Sequence, residues 1–284
     1  MIQQRKRRTI IVILLFLTLV LVIFITSTQY SSANSSEEDT VVVPILMYHD
    51  IRMSELGKYA ISPEEFESDL KYLKENNYTA ITMTDLIDYV YNGSQLPKKP
   101  IILSFDDGFL GTYTYAYELL KQYDMKIVLS VTGIYIDEKE ALSAYSYLSW
   151  EQISQMAHSG YVEVQNHTYN LHTSGSDRIG CMQADGESFS AYEKVLTADI
   201  QKLQTEIITA TSTAPAAFTY PCGQFSENTD IVLKKLGFSA SLSCEYGVNY
   251  ITKDTSDLFG LKRIRRSYND NLEQRLQNAY LETK

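Results

Sequence analysis

After Thr40, short apolar runs alternate with amphipathic segments, and this alternation constrains the fold more than any other feature of the sequence. Runs such as 101–105, 127–131 and 161–165 have the length of buried strands, and the segments between them have the spacing of helices. Strands that alternate with helices favour an α/β fold with a parallel sheet, either open or closed into a barrel. Because we find neither an internal repeat nor a linker, residues 41–284 are expected to form one domain.

Capping residues mark where several of the predicted helices begin. Ser62 stands three residues before Glu65, which is the pattern of a capping box. Thr84 is predicted to cap a second helix, which should end near Gly93 because glycine commonly follows the last helical residue. These signals support helices in the segments that connect the strands.

The first 27 residues differ in character from all that follow. Residues 1–8 contain a cluster of four basic side chains, and in residues 10–25 Thr18 is the only polar side chain. With its uncharged flanks, the segment 9–27 has the ~17–25 residues that a membrane-spanning helix needs. The basic residues precede it, so the positive-inside rule puts the N-terminus in the cytoplasm and the rest outside. We expect an uncleaved signal anchor; a signal peptide cleaved near residues 31–33 is the alternative.

The charge of the chain restricts its partners. Residues 28–40 are rich in Ser, Thr and acidic residues, which predicts a flexible tether between the anchor and the domain. The whole chain has 25 Lys and Arg against 35 Asp and Glu, a formal charge of −10, which disfavours binding to nucleic acid. Three cysteines are too few for a disulfide scaffold or a Cys-rich zinc module. We therefore expect an acidic extracellular domain on a single-pass anchor, or a secreted domain if the segment is cleaved.

Three of the predicted strands end in residues that could carry chemistry, at the edge where the active sites of parallel sheets gather. The first strand, 101–105, runs into Asp106, Asp107 and Gly108. Adjacent carboxylates in a regular strand point to opposite faces, but at a strand end beside a glycine both can reach one pocket. An ordinary surface turn is the alternative for this tripeptide on its own.

A pair of histidines follows a second predicted strand. His167 and His172 are two of the four histidines in the chain. Two neutral imidazoles and one carboxylate form a common open metal site, for which Asp106 or Asp107 could supply the carboxylate. A solvated histidine pair is the alternative. The third strand leads into the tight turn 220–223, which by itself is explained equally well as a structural loop.

Together these segments resemble the polysaccharide deacetylase family, the carbohydrate esterases of family 4 with a NodB-homology domain. The resemblance covers about residues 43–264. The segment 104–108, SFDDG, is similar to the family's first motif, usually Thr-Phe-Asp-Asp-Gly, and His167 opens the second motif. Four residues separate His167 from His172, whereas the usual spacing has three.

The longer spacing resembles that of the branch containing the poly-N-acetylglucosamine deacetylases of biofilm systems. Three further segments are similar to that branch: PILMYH at 44–49, LSW at 148–150 and YPCG at 220–223. The resemblance implies a distorted (β/α) barrel of the NodB-homology type. In this chain the barrel is expected to be preceded by the one N-terminal transmembrane helix predicted from the apolar segment.

The resemblance also implies a role for each matched residue. Asp106 would be the general base. The ligands of one divalent metal ion, zinc or another late first-row metal, would be Asp107, His167 and His172. The oxyanion and substrate loop would consist of Tyr220, Pro221, Cys222 and Gly223, with the backbone N–H of Cys222 in the oxyanion hole.

Two departures from the wider family affect the remaining roles. Thr219 stands where the family has an arginine in its third motif, so Arg263 or Arg265 is expected to supply the cation beside the base. The family's C-terminal Leu-x-His is also missing, because no histidine follows the second motif. His158 is explained by its position near a helix end. In the biofilm branch the histidine matching His49 is held to be the general acid, so the resemblance implies that role for His49.

The expected function is metal-dependent N-deacetylation of an N-acetylglucosamine polysaccharide at the cell surface, either poly-N-acetylglucosamine or the glycan of peptidoglycan. The expected partners are this N-acetylated polymer and the membrane. A catalytically inactive deacetylase-like domain that binds glycan is the alternative. A glycoside hydrolase is disfavoured, because its two carboxylates must flank a sugar bond at a separation of about 5 Å or more, which sequence neighbours rarely reach.

Overall fold

The computed structural model describes residues 18, 40–138, 146–173, 175 and 178–283. The compact unit that carries the site begins at Val42. Apart from Thr18 and Thr40, the predicted cytoplasmic segment, anchor and tether lie outside the described residues. Among the helices that are described, none is long and apolar enough to cross a membrane.

Strands and helices alternate along the unit, as the sequence predicts. The strands are β1 (Val41–Val43), β2 (Ile45–Tyr48), β3 (Asp50–Ile51), β4 (Ala60–Ile61), β5 (Thr79–Ala80), β6 (Pro100–Asp107), β7 (Ile127–Val131), β8 (Val162–Asn166), β9 (Ala217–Thr219), β10 (Ala240–Leu242), β11 (Asn249–Ile251) and β12 (Ile264–Arg265). The helices are α1 (Pro63–Glu75), α2 (Met83–Asn92), α3 (Tyr117–Tyr123), α4 (Gly133–Asp137), α5 (Trp150–His158), α6 (Phe189–Thr211), α7 (Glu227–Lys235) and α8 (Leu272–Glu282). A π-helical turn (Thr112–Ala116) leads into α3, and 3-10 turns occupy Pro221–Gly223 and Thr255–Leu258.

The main sheet is parallel and curled. Its strand order is β10-β9-β8-β7-β6-β2-β12, with β5 beside the first residues of β6. The two edges meet where Leu261, just before β12, bridges Leu242 of β10. The N–H of Leu261 donates to the carbonyl of Ser241, and the N–H of Ser243 donates to the carbonyl of Leu261, both at 2.8 Å. The parallel sheet predicted from the alternation is confirmed, and its curl gives the (β/α) architecture of a distorted barrel.

Helix caps explain where the connecting helices begin. The capping box predicted at Ser62 is present. The prediction for the next helix was wrong by two residues, because Thr82 and not Thr84 is the cap of α2. The carboxylate of Asp85 accepts from the N–H of Thr82 while the Thr82 hydroxyl accepts from the N–H of Asp85, and this reciprocal pair fixes the start of the helix. The helix ends as predicted at Gly93, which adopts a left-handed conformation with φ +72°.

The hydrophobic core lies between the sheet and its helices. Every residue of β6 and β7 is buried, including the polar residues at the ends of these strands. Because the strands of the main sheet run parallel, their carboxyl ends lie at one edge. Side chains that follow β2, β6, β7, β8 and β9 are thereby brought to the same part of the molecule.

Candidate active site

Strand register brings the predicted site residues together. Asp106 and Asp107 are the last residues of β6, and Asp107 is opposite Val131 of β7. Val131 is in turn opposite Asn166, the last residue of β8, so His167 follows directly at the same edge. On the other side of β6, Tyr48 is opposite Phe105, which places His49 one residue beyond. The site is therefore built at the carboxyl ends of four consecutive strands of the sheet, β2, β6, β7 and β8.

The backbone turns sharply at three non-glycine residues of the site. Asp107, Thr168 and Cys222 have φ of +72°, +70° and +55°, a region that residues with a β-carbon seldom occupy. The turn at Asp107 ends the regular alternation of β6 and allows two adjacent carboxylates to serve one site. Strained backbone of this kind persists where the surrounding structure holds it, and it concentrates at functional sites.

Asp107, His167 and His172 form a group that could bind a metal ion. Oδ1 of Asp107 lies 3.5 Å from Nε2 of His167 and 3.3 Å from Nε2 of His172. In the described part of the chain, the three ligand atoms lie within 4.8 Å of one another, and Oδ1 of Asp107 is buried without a hydrogen-bond partner. A buried carboxylate oxygen without a hydrogen-bond partner is unfavourable in free energy. A divalent cation bound between this oxygen and the two imidazole nitrogens would satisfy it.

The imidazole of His167 is held in a form suited to metal binding. Its Nδ1 lies 2.7 Å from the carbonyl oxygen of Thr219, so Nδ1 carries the proton and Nε2 is free to face Asp107. Burial lowers the pKa of His167 to about 4, although the charge of Asp106 acts in the opposite direction. The ring is therefore neutral at physiological pH, as a metal ligand must be.

Arg263 contacts the second carboxylate of the site. Its Nη1 donates to Oδ1 of Asp106 at 2.8 Å, and its Nε donates to the carbonyl of Ser243 at 2.6 Å. Burial by itself would raise the pKa of Asp106, but the charge of Arg263, with smaller effects from nearby histidines, lowers it to about 2. Of the two arginines predicted to supply a cation, Arg263 contacts Asp106, whereas the guanidinium of Arg265 lies 6.0 Å from the ring centre of Tyr59.

His49 lies in the wall of the same cavity as the two carboxylates. Its ring centre is 4.9 Å from that of Tyr59, and within the described residues its buried Nδ1 has no hydrogen-bond partner. Burial lowers the pKa of His49, while the charges of Asp106 and Asp107 favour its protonated form. His158, in contrast, ends α5, and its Nδ1 lies 2.7 Å from the carbonyl oxygen of Ser154 on the same helix.

A cavity of about 650 Å³ is lined by the two carboxylates, His167 and His172. A pocket of this size accommodates a sugar residue with its acetamido group. The wall includes several residues that were not predicted: Met47, Asp50, Tyr59, Phe109, Tyr135 and Tyr147.

Comparison with known proteins decides the family. Residues 93–241, more than half of the chain, match the sequence model of the family described as polysaccharide deacetylase. The chain belongs to the polysaccharide deacetylase family.

Individual relatives of this deacetylase-family chain agree with the assignment. The Bacillus subtilis protein YxkH is 28% identical over 225 residues, which cover 79% of this chain and 71% of YxkH. The poly-beta-1,6-N-acetyl-D-glucosamine N-deacetylase of Staphylococcus aureus is 26% identical over 210 residues, covering 72% of this chain and 67% of that protein. The match to the Escherichia coli protein of the same name spans 33% of that protein. The structure of IcaB from Ammonifex degensii superposes with a TM-score of 0.69 at 26% identity, covering 85% of this chain and 96% of IcaB. These similarities place the deacetylase near the poly-N-acetylglucosamine branch.

Within the deacetylase, the loop 220–223 is fixed mainly by its first residue. The ring of Tyr220 is fully buried and stacks on Phe225 with ring centres 4.1 Å apart. Its hydroxyl is hydrogen-bonded to Asp230 and lies 2.6 Å from the hydroxyl oxygen of Ser241. The hydroxyl thus contacts residues outside the cavity lining and anchors the loop, while Tyr220 and Cys222 both contribute to the cavity wall.

The rest of the loop is shaped by close packing. Pro221 is buried, and Gly223, with φ +67°, lies against Cys244. A β-carbon at Gly223 would approach the β-carbon of Cys244 to 2.6 Å, so a larger residue does not fit there. Among the four predicted loop residues, Cys222 is the non-glycine residue with a positive φ, and it lies in the cavity wall.

Two further residues could have been found by the same rule that found the others. Tyr135 lies four residues after the end of β7, the strand between β6 and β8, and the carboxyl ends of parallel strands supply active-site residues. Asp50 follows His49 directly after β2. The sequence did not show that the site residue after β7 would come from the short helix α4. Tyr135 of α4 lies in the cavity wall.

Proposed function

We propose that this chain is a metal-dependent N-deacetylase that removes acetyl groups from an N-acetylglucosamine polymer at the cell surface. One observation carries the proposal: the two adjacent carboxylates have different environments. Asp107 faces two imidazole nitrogens and has an unpartnered buried oxygen, whereas Asp106 is paired with Arg263 and ionised. Amide hydrolysis with a metal ion requires this division, with one carboxylate to bind the ion and one to accept a proton.

Asp107, His167 and His172 would hold the metal ion. The donor set of one carboxylate oxygen and two imidazole nitrogens suits zinc or another late first-row metal. When bound there, the ion acts as a Lewis acid that polarises the acetyl carbonyl and lowers the pKa of water.

The remaining residues of the site would move protons. Asp106 accepts the proton of the attacking water, and Arg263 keeps Asp106 ionised so that it can do so. His49 donates a proton to the departing glucosamine nitrogen. Because burial lowers the pKa of His49, its protonated form is a stronger acid than a solvated imidazolium. The backbone N–H of Cys222, beside the cavity, would donate to the oxyanion.

The proposed substrate is poly-β-1,6-N-acetyl-D-glucosamine. Relatives whose names specify this substrate support it, and so do the aromatic side chains of Tyr59, Tyr135 and Tyr147 in the cavity wall, since sugars pack well on aromatic rings. Peptidoglycan glycan, which presents the same acetamido group, is the second candidate polymer.

The test is amine release from each polymer by the full chain, with and without a metal chelator. We expect free amines to appear, without shortening of the polymer, and to disappear on chelation and return when zinc is added. Shortening of the polymer would indicate a glycoside hydrolase. Glycan binding without either product would indicate the inactive, glycan-binding alternative.

We also propose that residues 9–27 anchor the domain at the outer face of the cell membrane. The apolar segment and the basic cluster before it support this location. Full-length protein in the membrane fraction, with its domain accessible to external protease, is the expected result. A soluble secreted form that lacks the first 30 or so residues would favour the cleaved signal peptide.

A further inference from the structure

The two histidines of the metal group are supported to different degrees. The side chain of His167 is 2% exposed, directly follows β8 and contacts the carbonyl of Thr219. The side chain of His172 is 21% exposed and lies in a segment without regular secondary structure. His172 lies six residues after the end of β8, so the strand that positions His167 does not position it. Its orientation must therefore be set by another element.

Tyr135 of α4 contacts His172 on the side of the ring away from Asp107 through its hydroxyl group. Its hydroxyl oxygen lies 3.2 Å from Nδ1 of His172 and 3.4 Å from the carbonyl oxygen of the same residue. The tyrosine ring is held in turn by Tyr147, with ring centres 4.7 Å apart and an interplanar angle of 30°.

The backbone of α4 is also tied to the segment that carries the histidines. The N–H of Gly133 donates to the carbonyl of Thr168 at 3.1 Å, and the N–H of Ile134 donates to the carbonyl of Tyr169 at 2.8 Å. These two hydrogen bonds hold α4 and the segment after β8 together. The position of Tyr135 relative to His172 is therefore fixed by the backbone.

The two contacts of the Tyr135 hydroxyl define where the protons lie. Nε2 of His172 faces Asp107 and would be the nitrogen that binds the proposed metal ion, so the neutral ring would carry its proton on Nδ1. Nδ1–H then donates to the Tyr135 oxygen, and the Tyr135 hydroxyl donates to the His172 carbonyl. This arrangement needs a neutral phenol, which is the ordinary state of tyrosine near neutral pH because its usual pKa is about 10. Nδ1–H of His172, the hydroxyl of Tyr135 and the carbonyl of His172 then each have a hydrogen-bond partner.

We propose that Tyr135 is a positioning residue that fixes the tautomer and the orientation of His172 and thereby strengthens metal binding. This inference rests on the proposed metal centre. Partners that orient a ligating histidine typically contribute about 10–100-fold to metal affinity. Tyr135→Phe keeps the ring and its stacking on Tyr147 but removes the hydroxyl, so it is expected to weaken metal binding within that range.

The experiment measures the zinc dissociation constant by competition with a chromophoric chelator for three full-length proteins: wild type, Tyr135→Phe and Tyr113→Phe. Tyr113 is the matched control, because its hydroxyl donates to the side chain of Gln155 at 2.9 Å in an exposed contact. We expect zinc binding at least about tenfold weaker for Tyr135→Phe and unchanged for Tyr113→Phe. Equal affinity in all three proteins would overturn the role of Tyr135 while leaving the metal centre intact. If the wild type binds no zinc, the metal centre itself is wrong, and this inference with it.

A second measurement begins with the wild type, so its first result does not depend on a variant that folds. In nitrogen-15 NMR spectra of the zinc-loaded wild type, His172 should carry its proton on Nδ1, with slow exchange because that proton is hydrogen-bonded to Tyr135. A proton on Nε2, with zinc bound through Nδ1, would overturn the inference. In Tyr135→Phe the Nδ1 proton should exchange faster, a change that a general loss of stability would not confine to His172.

Discussion

The guanidinium of Arg263 lies 2.8 Å from the carboxylate of Asp106, although the two residues are 157 positions apart in the chain, and both side chains are almost fully buried. The pairing arises because β12, which starts one residue after Arg263, lies beside β2, and β2 lies beside β6. Thr219 occupies the position where the wider family is expected to carry an arginine. Arg263, which directly precedes β12, thus supplies a positive charge to the proposed base from a different part of the chain than position 219.

Removing this charge should shift the pH dependence of the enzyme. In wild type the pKa of Asp106 is about 2, so the carboxylate is ionised at physiological pH. In Arg263→Gln the burial of Asp106 is no longer opposed by the guanidinium, its pKa rises, and the protonated form cannot accept a proton. The acid limb of the kcat/KM profile should therefore move to higher pH, and unfolding in urea should show a loss of about 3–5 kcal/mol.

Arg265→Gln is the control for that experiment. Arg265 lies at the ring of Tyr59 and not at Asp106, so the acid limb should stay where it is in the wild type. An equal shift of the acid limb in both variants would contradict the specific pairing of Arg263 with Asp106.

The two adjacent carboxylates should respond differently to the same substitution. Asp107→Asn should weaken zinc binding, because it removes the charge between the two imidazoles. Asp106→Asn should retain zinc but lose about 10²–10⁴-fold in kcat, since only proton transfer is removed. Elemental analysis of each purified variant, together with kinetics of amine release, measures both effects. Comparable loss of metal in the two variants would show that the roles are not divided in this way.

His49→Ala tests the proposed general acid. The variant should keep its metal and lose about 10²–10⁴-fold in turnover, and the alkaline limb of the wild-type pH profile should disappear. Because burial lowers the pKa of His49, that limb should begin at a lower pH than for a solvated histidine. His158→Ala removes the histidine at the end of α5 and should leave turnover and the limb unchanged. Near-normal turnover in His49→Ala would assign the acid role to another group.

Asp50 should make the stability of the protein depend on pH. Its side chain is 13% exposed, and burial raises its pKa from the ordinary 3.8 to about 6, although the nearby charge of Arg52 acts in the opposite direction. The folded state then binds this proton more tightly than the unfolded state. The contribution of Asp50 to stability is therefore complete below about pH 4 and is lost as the pH rises through about 6.

Denaturant unfolding of the wild type and Asp50→Asn across this range measures the effect. Asparagine does not titrate, so the unfolding free energy of the wild type minus that of the variant should fall with rising pH, by at most about 3 kcal/mol. A difference that stays constant, or that grows with pH, would contradict the raised pKa of Asp50.

The alternation of strands and helices and the chemistry at the strand ends could be predicted from the amino-acid sequence alone. Both are local properties: the spacing of apolar residues reports the strand or helix period, and the carboxyl end of a parallel strand is where functional side chains emerge. The same local reasoning failed by two residues at α2, because two candidate threonines lie close together and only Thr82 is followed at the correct spacing by Asp85. The roles proposed for Asp106, Asp107, His49 and the other site residues stay predictions until the variants are measured.

Contacts between side chains that are distant in the sequence could not be predicted and are seen only in the folded domain. Arg263 and Arg265 lie two residues apart near the C-terminal strand, a spacing that puts both on the same face of a regular strand, so strand alternation does not distinguish them. The folded sheet places Arg263 against Asp106 and Arg265 beside the ring of Tyr59. The contact between Tyr135 and His172 likewise depends on how α4 packs against the segment after β8. Sequence patterns report which face or end a residue occupies. Contacts between side chains far apart in the chain depend on strand order, register and curvature, which arise only when the whole core packs.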